Sequence, residues 1–240
     1  MPLETTRQHF SDELTRIEAQ ALGGLDLVAD QLERAMEAIQ HQDVELAALV
    51  IANDDVVDGR YLEVHQGLLT ILALQAPVAG DLRVLAALLH IMKNIERMGD
   101  QCVNIAKTVP LTGHEAPRSQ ELVDLLMKMG TAARGEIQQC KRAFAERNVD
   151  MAWDLVRQDR EINQLNRDIF QFAIAVGDDV QVREWATHMV MVSRAIERIG
   201  DNAVDIGEQT AFIVSGLFRE FSDVGRAEGG YVPRRDTPDA

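Results

Sequence analysis

Apolar residues recur along this chain at steps of three and four. Phe10, Leu14, Ile17, Leu25, Val28, Leu32, Met36 and Ile39 trace one such stripe, the pattern of a helix with a single buried face. Gly23 and Gly24 interrupt the stripe, and a bend is expected there. Asp43 stands where it can cap a second helix that runs through Leu46, Val50, Val57 and Leu68 toward Leu74. The segment Gln75 to Asp81, with Pro77 and Gly80, reads as a turn in which Asp81 is the next N-cap. A third helix then runs from near Leu82 to Val109, and the second half of the chain repeats the plan with helices near 119–146, 149–176 and 181–217. Pro110 to Pro117, with Gly113 between two prolines, reads as a linker, and the chain after Phe218, rich in Gly, Pro and Arg, as a disordered tail.

The two halves are copies of one unit. Ile95-Glu96-Arg97-Met98-Gly99-Asp100 returns as Ile196-Glu197-Arg198-Ile199-Gly200-Asp201, with one change in the six positions. Elsewhere the copies have diverged: between residues 35–58 and 140–163 only Ala38, Val44, Ala47 and Asp54 are kept. Those segments align at an offset of 105 residues, which sets Asp43 on a capping Asn148, and the repeated motif aligns at 101, so the second copy lacks four residues of the turn that carries Pro77 in the first. The reading is therefore an all-α chain of two tandem, pseudo-symmetric three-helix bundles, residues 1–112 and 118–218, followed by a tail at 219–240.

Composition agrees with helix and narrows the partners. Hydrophobic residues make up 46% of the chain but aromatics only 5%, a mixture that fills helix seams better than a β-sandwich core. The net charge of -15 leaves no basic stripe with which to grip a phosphate backbone, which argues against nucleic acid. Cations or basic protein surfaces are the expected partners. The two cysteines, Cys102 and Cys140, form no CxxC, and Cys102, on the stripe of Ile95 and Met98, is read as a core thiol. No segment has a leader pattern or the apolar run of a membrane span, so a cytoplasmic protein without membrane insertion is expected.

In each repeated motif a Glu precedes an Asp by four residues, which stacks the two carboxylates on one helix face. Like charges at that step repel by a few tenths of a kcal/mol. A cation between them reverses the sign. The second helices carry acids at the same step, Asp54 with Asp58 and Asp159 with Asn163, and Asp205 extends the second motif by a further turn. If second and third helices are antiparallel neighbours, Glu96, Asp100, Asp54 and Asp58 form one patch and Glu197, Asp201, Asp159 and Asp205 another. Such oxygen donors suit magnesium, manganese, calcium or iron. The plain alternative is a solvated polar face with Arg97 and Arg198 as counter-ions to the Asp three residues on. The interior glycines, Gly99 and Gly200, read as points of close helix approach without chemistry of their own.

Taken together, the third-helix signatures beginning at Ile95 and Ile196, the second-helix run Asp54-Asp-Val-Val-Asp58 and the turn Gln75-Ala-Pro-Val-Ala-Gly-Asp81-Leu-Arg83 resemble the PhoU family of phosphate-specific transport accessory proteins over about residues 8–216. The resemblance implies two three-helix bundles, each with a Glu/Asp-x-x-x-Asp metal motif, here Glu96 with Asp100 and Glu197 with Asp201. It implies multinuclear iron or zinc clusters, a homodimer, and negative regulation of phosphate uptake and of the phosphate-starvation response through the transporter's ATP-binding subunit and a sensor histidine kinase. Asn104 opposite Asp205 and Asn163 opposite Asp58 depart from the fully acidic pattern, and amides are weaker ligands.

Three functions remain in competition on the sequence. A regulatory adaptor without catalysis leads, because the chain has no GxGxxG, P-loop, GxSxG or HExxH motif. A carboxylate-bridged metal store or metalloenzyme on a helical bundle needs Glu-x-x-His pairs turned into the bundle, and none is present. A scaffold whose acidic faces bind nothing is the third.

Overall fold

A computed structural model describes residues 3–75, 77–112 and 119–221, with side chains from residue 8 onward. The helices are α1 (Leu3–His41), α2 (Val44–Ala52), α3 (Asp54–Gln75), α4 (Ala79–Thr108), α5 (Gln120–Ala145), α6 (Val149–Ala175) and α7 (Val180–Ser215), with a 3-10 turn at Val109–Thr112. No strand occurs among the described residues. In the first half α1 and α4 pack on each other and on α2 and α3, and in the second α5, α6 and α7 pack on one another. The halves meet along α4 with α7, the most extensive interface in the molecule, and along α1 with α5. One continuous apolar core follows, running from Ile17, Leu25 and Leu32 through Ile95 and Met98 to Ile137, Ile196 and Ile199. Cys102 lies inside it, fully buried as expected, and so does Cys140.

The repeat is visible in backbone detail. After α1 the chain turns at Gln42 with φ 51, and after α5 at Arg147 with φ 53. The next amide in each case reaches back to the helix, Asp43 N–H to the Ala38 carbonyl at 3.0 Å and Asn148 N–H to the Ala143 carbonyl at 2.9 Å, a Schellman ending. Asp43 then accepts from the Leu46 amide at 2.9 Å and Asn148 from the Met151 amide at 3.0 Å, so both predicted caps are in place. A left-handed residue other than Gly costs about 1–2 kcal/mol, partly offset by the entropy that Gly adds to the unfolded chain. Gln42→Gly is therefore expected to stabilise the protein by roughly 0.5–1 kcal/mol in urea unfolding, and a loss of stability would contradict this account of the turn.

Two local expectations are corrected. The second helix is two helices, α2 and α3, because the chain breaks at Asn53; Asn competes for backbone hydrogen bonds and disfavours helix interiors, whereas Gln158 at the matching position lets α6 run through. α4 begins at Ala79 with Val78 as its N-cap, so Asp81 is a first-turn acid and not the cap. α1 runs as one helix through Gly23 and Gly24. A Cβ at Gly23 would stand 3.2 Å from Arg60 Nη1 and one at Gly24 3.3 Å from Ile95 Cγ2, so the pair admits α3 and α4 at close range.

The linker at Pro110 to Pro117 begins as the 3-10 turn, and residues 113–118 lie outside the described ones. Of the expected tail, residues 222–240 likewise lie outside them. Phe221 is not free: it stacks on Trp153 with ring centroids 3.9 Å apart, and its amide donates to Glu208. Burying an aromatic ring anchors the chain beyond the end of α7.

Candidate functional site

The acids of the first half gather where the start of α3 crosses α4. Asp54 opens α3 and is half-buried, Asp58 lies one turn on, and Glu96 and Asp100 face them from α4. Burial, then the charges of Asp58 and Asp100, push the Asp54 carboxyl up, while a hydrogen bond from Gln31 at 3.4 Å opposes them. Asp100 is raised by burial and by Glu96 and Asp58. The four candidates therefore share one electrostatic field. Glu96 is held by Lys93 at 2.6 Å.

The second half builds the same face with more carboxylate inside. Burial and the charges of Asp201 and Glu197 push Asp159 of α6 up to about 6, against a hydrogen bond that Asn163 donates to its Oδ2 at 2.6 Å. Asn163 thus braces Asp159. Asp201 is raised by burial, Glu197 and Asp205. Glu197 is paired with Arg194 at 2.7 Å and receives Asn166 Nδ2 at 3.3 Å. Asp205 stands at the edge of the patch, raised by burial, with Arg97 of α4 and Glu220 as its other charged neighbours.

Two features of this face differ from a plain solvated one. The ion pairs run from Lys93 and Arg194 to the Glu of each motif, three residues on. Arg198, a counter-ion in the plain alternative, does act on Asp201 through its charge, which opposes the upward shift. Nor do the acids all point to solvent: the Glu96 and Glu197 side chains keep only 21% and 14% of their exposure.

Sequence reading missed the most buried acid of all. Glu136 of α5 is 0% exposed, and neither of its carboxyl oxygens has a hydrogen-bond partner. Burial, then Asp159 and Asp201, push its carboxyl up to about 9. A signal was present, because Glu136 falls on the stripe Met129, Ala133, Cys140 and Phe144, where a solvent-facing acid has no place. At the 105-residue offset its counterpart is Gln31, also buried.

The motif glycines complete the geometry. A Cβ on Gly200 would meet Asp159 Oδ1 at 2.8 Å and Glu136 Oε2 at 3.1 Å, and one on Gly99 would meet Asp54 Oδ1 at 3.4 Å and Gln31 Oε1 at 3.5 Å. Each glycine opens the third helix to a pair of oxygens from the first and second. Both are points of close helix approach, as expected. Among the described residues no three His, Cys, Asp or Glu side chains already converge as a metal cluster. An ion here would need carboxylates to rotate toward it, and the unpartnered oxygens of Glu136 and Asp159 are the donors best suited to do so.

Two helical units in tandem, each presenting a Glu-x-x-x-Asp on its third helix to an Asp of its second across a glycine, define a duplicated all-α class. The PhoU domain model matches this chain twice, over residues 25–109 and 126–210. The chain belongs to the PhoU family. A Clostridium acetobutylicum protein described as a phosphate-specific transport system accessory protein PhoU homolog is 28% identical over 91% of this chain and 100% of its own length. A Zymomonas mobilis protein of the same description is 31% identical over 81% of each chain. Among solved structures, the phosphate transport system regulatory protein PhoU from Streptococcus pneumoniae superposes with a TM-score of 0.81 at 25% identity, covering 88% of this chain and 99% of that one. PhoU from Pseudomonas aeruginosa gives 0.78 at 25% identity, over 87% and 100%.

Proposed function

We propose that the protein is an accessory regulator of phosphate transport, one that restrains phosphate uptake and the phosphate-starvation response. The observation that carries this reading is the paired PhoU match spread over both halves, in relatives named as transport accessory proteins and covered over most or all of their length. It is a regulatory protein and not an enzyme. Its partners in this reading are the ATP-binding subunit of the transporter and the sensor histidine kinase, reached in the cytoplasm by a homodimer. No helix among the described residues is long and apolar enough to cross a membrane. An acidic surface steers encounter with basic patches. The two carboxylate faces hold metal ions in this account, iron, zinc, magnesium or manganese, and the ions relieve the repulsion between stacked acids.

Deleting the gene is expected to raise expression of phosphate-starvation genes in phosphate-rich medium, and replacing Glu96, Asp100, Glu197 and Asp201 together by Ala should mimic the deletion at normal protein levels. Intact phosphate control after deletion would overturn the assignment. Normal repression by a quadruple variant that binds no metal would detach the carboxylate faces from regulation.

A further inference from the structure

We propose that Glu136 of α5 is a direct ligand of a divalent cation held with Asp159 and Asp201 in the second half, and that the first half, with Gln31 in that place, has only a weaker site. The inference rests on reading the acidic faces as cation sites and adds to it a buried donor and an inequality between the copies.

A wholly buried carboxylate is tolerated when donors or a cation meet its oxygens. Glu136 has neither: both oxygens are unpartnered, and so is Asp159 Oδ1. Glu136 Oε2 and Asp159 Oδ1 lie within 3.1 Å of one point, the place a Gly200 Cβ would occupy. Two unpartnered carboxyl oxygens from different helices therefore flank one small space, with Ile162 Cδ1 3.2 Å from the same point, and the glycine leaves it open. Asp201 lies one residue past that glycine, and its charge reaches both Glu136 and Asp159. Carboxylate oxygens in this number suit a hard divalent ion. The rest of the surroundings support the acids as anions: Asn163 fixes the far oxygen of Asp159, and Arg194 and Asn166 hold Glu197 beside it.

The first half keeps the frame and loses the charge. Gln31 offers an amide oxygen toward Gly99, while its Nε2 contacts Asp54 Oδ1 and the Val50 carbonyl, each at 3.4 Å. An amide nitrogen on Asp54 occupies an oxygen that a cation would need, and a neutral carbonyl replaces one negative ligand.

The test uses full-length protein stripped with chelator, titrated with MnCl2 by calorimetry, alongside thermal unfolding with and without Mn2+. Wild type should bind Mn2+ and unfold at higher temperature in its presence. E136Q should lose at least tenfold in affinity for the tighter site and most of the Mn2+-dependent shift. Its unfolding temperature without Mn2+ should not fall, which separates a lost ligand from a damaged fold. Q31E should strengthen the weaker site. Equal Mn2+ affinity of E136Q and wild type overturns this proposal. If E197A with D201A then abolishes binding, the faces still bind cations and only the role of Glu136 fails; if wild type binds no Mn2+, the metal reading of both faces fails with it.

Discussion

Replacing Glu136 by Gln is expected to stabilise the cation-free protein by an amount that grows with pH. In the unfolded chain this carboxyl releases its proton near its ordinary value of 4.5, whereas in the folded state burial and the charges of Asp159 and Asp201 hold the proton up to about 9. Between those values the folded state binds more protons than the unfolded state. Stability attributable to the protonated group is thus fully present below pH 4.5 and is lost as pH rises through 9. Each pH unit in the window removes up to about 1.4 kcal/mol. Gln does not titrate, so the difference between E136Q and wild type should be small at pH 5 and reach several kcal/mol by pH 8. Asp159, pushed up to about 6, acts with the same sign over a lower range in both proteins and largely cancels in the difference. Urea unfolding at a series of pH values in chelator measures this directly. A difference that does not change with pH would mean that Glu136 is ionised as easily in the folded protein as in the unfolded one.

Phe144→Ala should be the most damaging single truncation at the joint between the halves. Phe144 is 1% exposed in the last turn of α5 and belongs to the continuous core. The guanidinium of Arg147 lies over its ring at 4.3 Å, donates to the Phe144 carbonyl at 2.8 Å, and reaches Glu18 of α1 at 2.7 Å. Removing the ring deletes a large buried surface and unseats the arginine that ties α5 to α1. The expected cost is about 3–5 kcal/mol, on the order of 10 °C in Tm for a chain of this size. Arg147→Ala should cost only about 1 kcal/mol, since a partly exposed ion pair contributes little. If the two variants were equally mild in denaturant melts, the ring would not be part of the joint.

What could be read from the sequence was whatever has a period or a fixed offset. The long stripes from Phe10 to Ile39 and around Ile95 and Ile196 gave the helices, because burial on one face imposes the three and four step. Asp43 and Asn148 were legible as caps because short oxygen-bearing side chains are strongly preferred there. The stop at Asn53 was not legible, since its apolar neighbours on α2 and α3 continue the stripe without a glycine or proline to mark the break. Asp81 misled for a related reason: a first-turn acid is as favourable beside the helix dipole as a capping one. Of the site, the residues on the repeated motif and on the second helices stood out by spacing. Glu136 has no partner at four residues, and only the burial of its whole stripe betrays it.

The seam between α4 and α7 bears on how the molecule can respond. Each carries one copy of the motif on one side and rests against the other helix elsewhere along its length. With close-packed side chains between them, a small shift of one helix has to be met by its twin. The two acidic faces therefore stand on helices that share one packed wall. A duplication that left the copies chemically unequal has thus joined them at the two helices that carry the repeated motif.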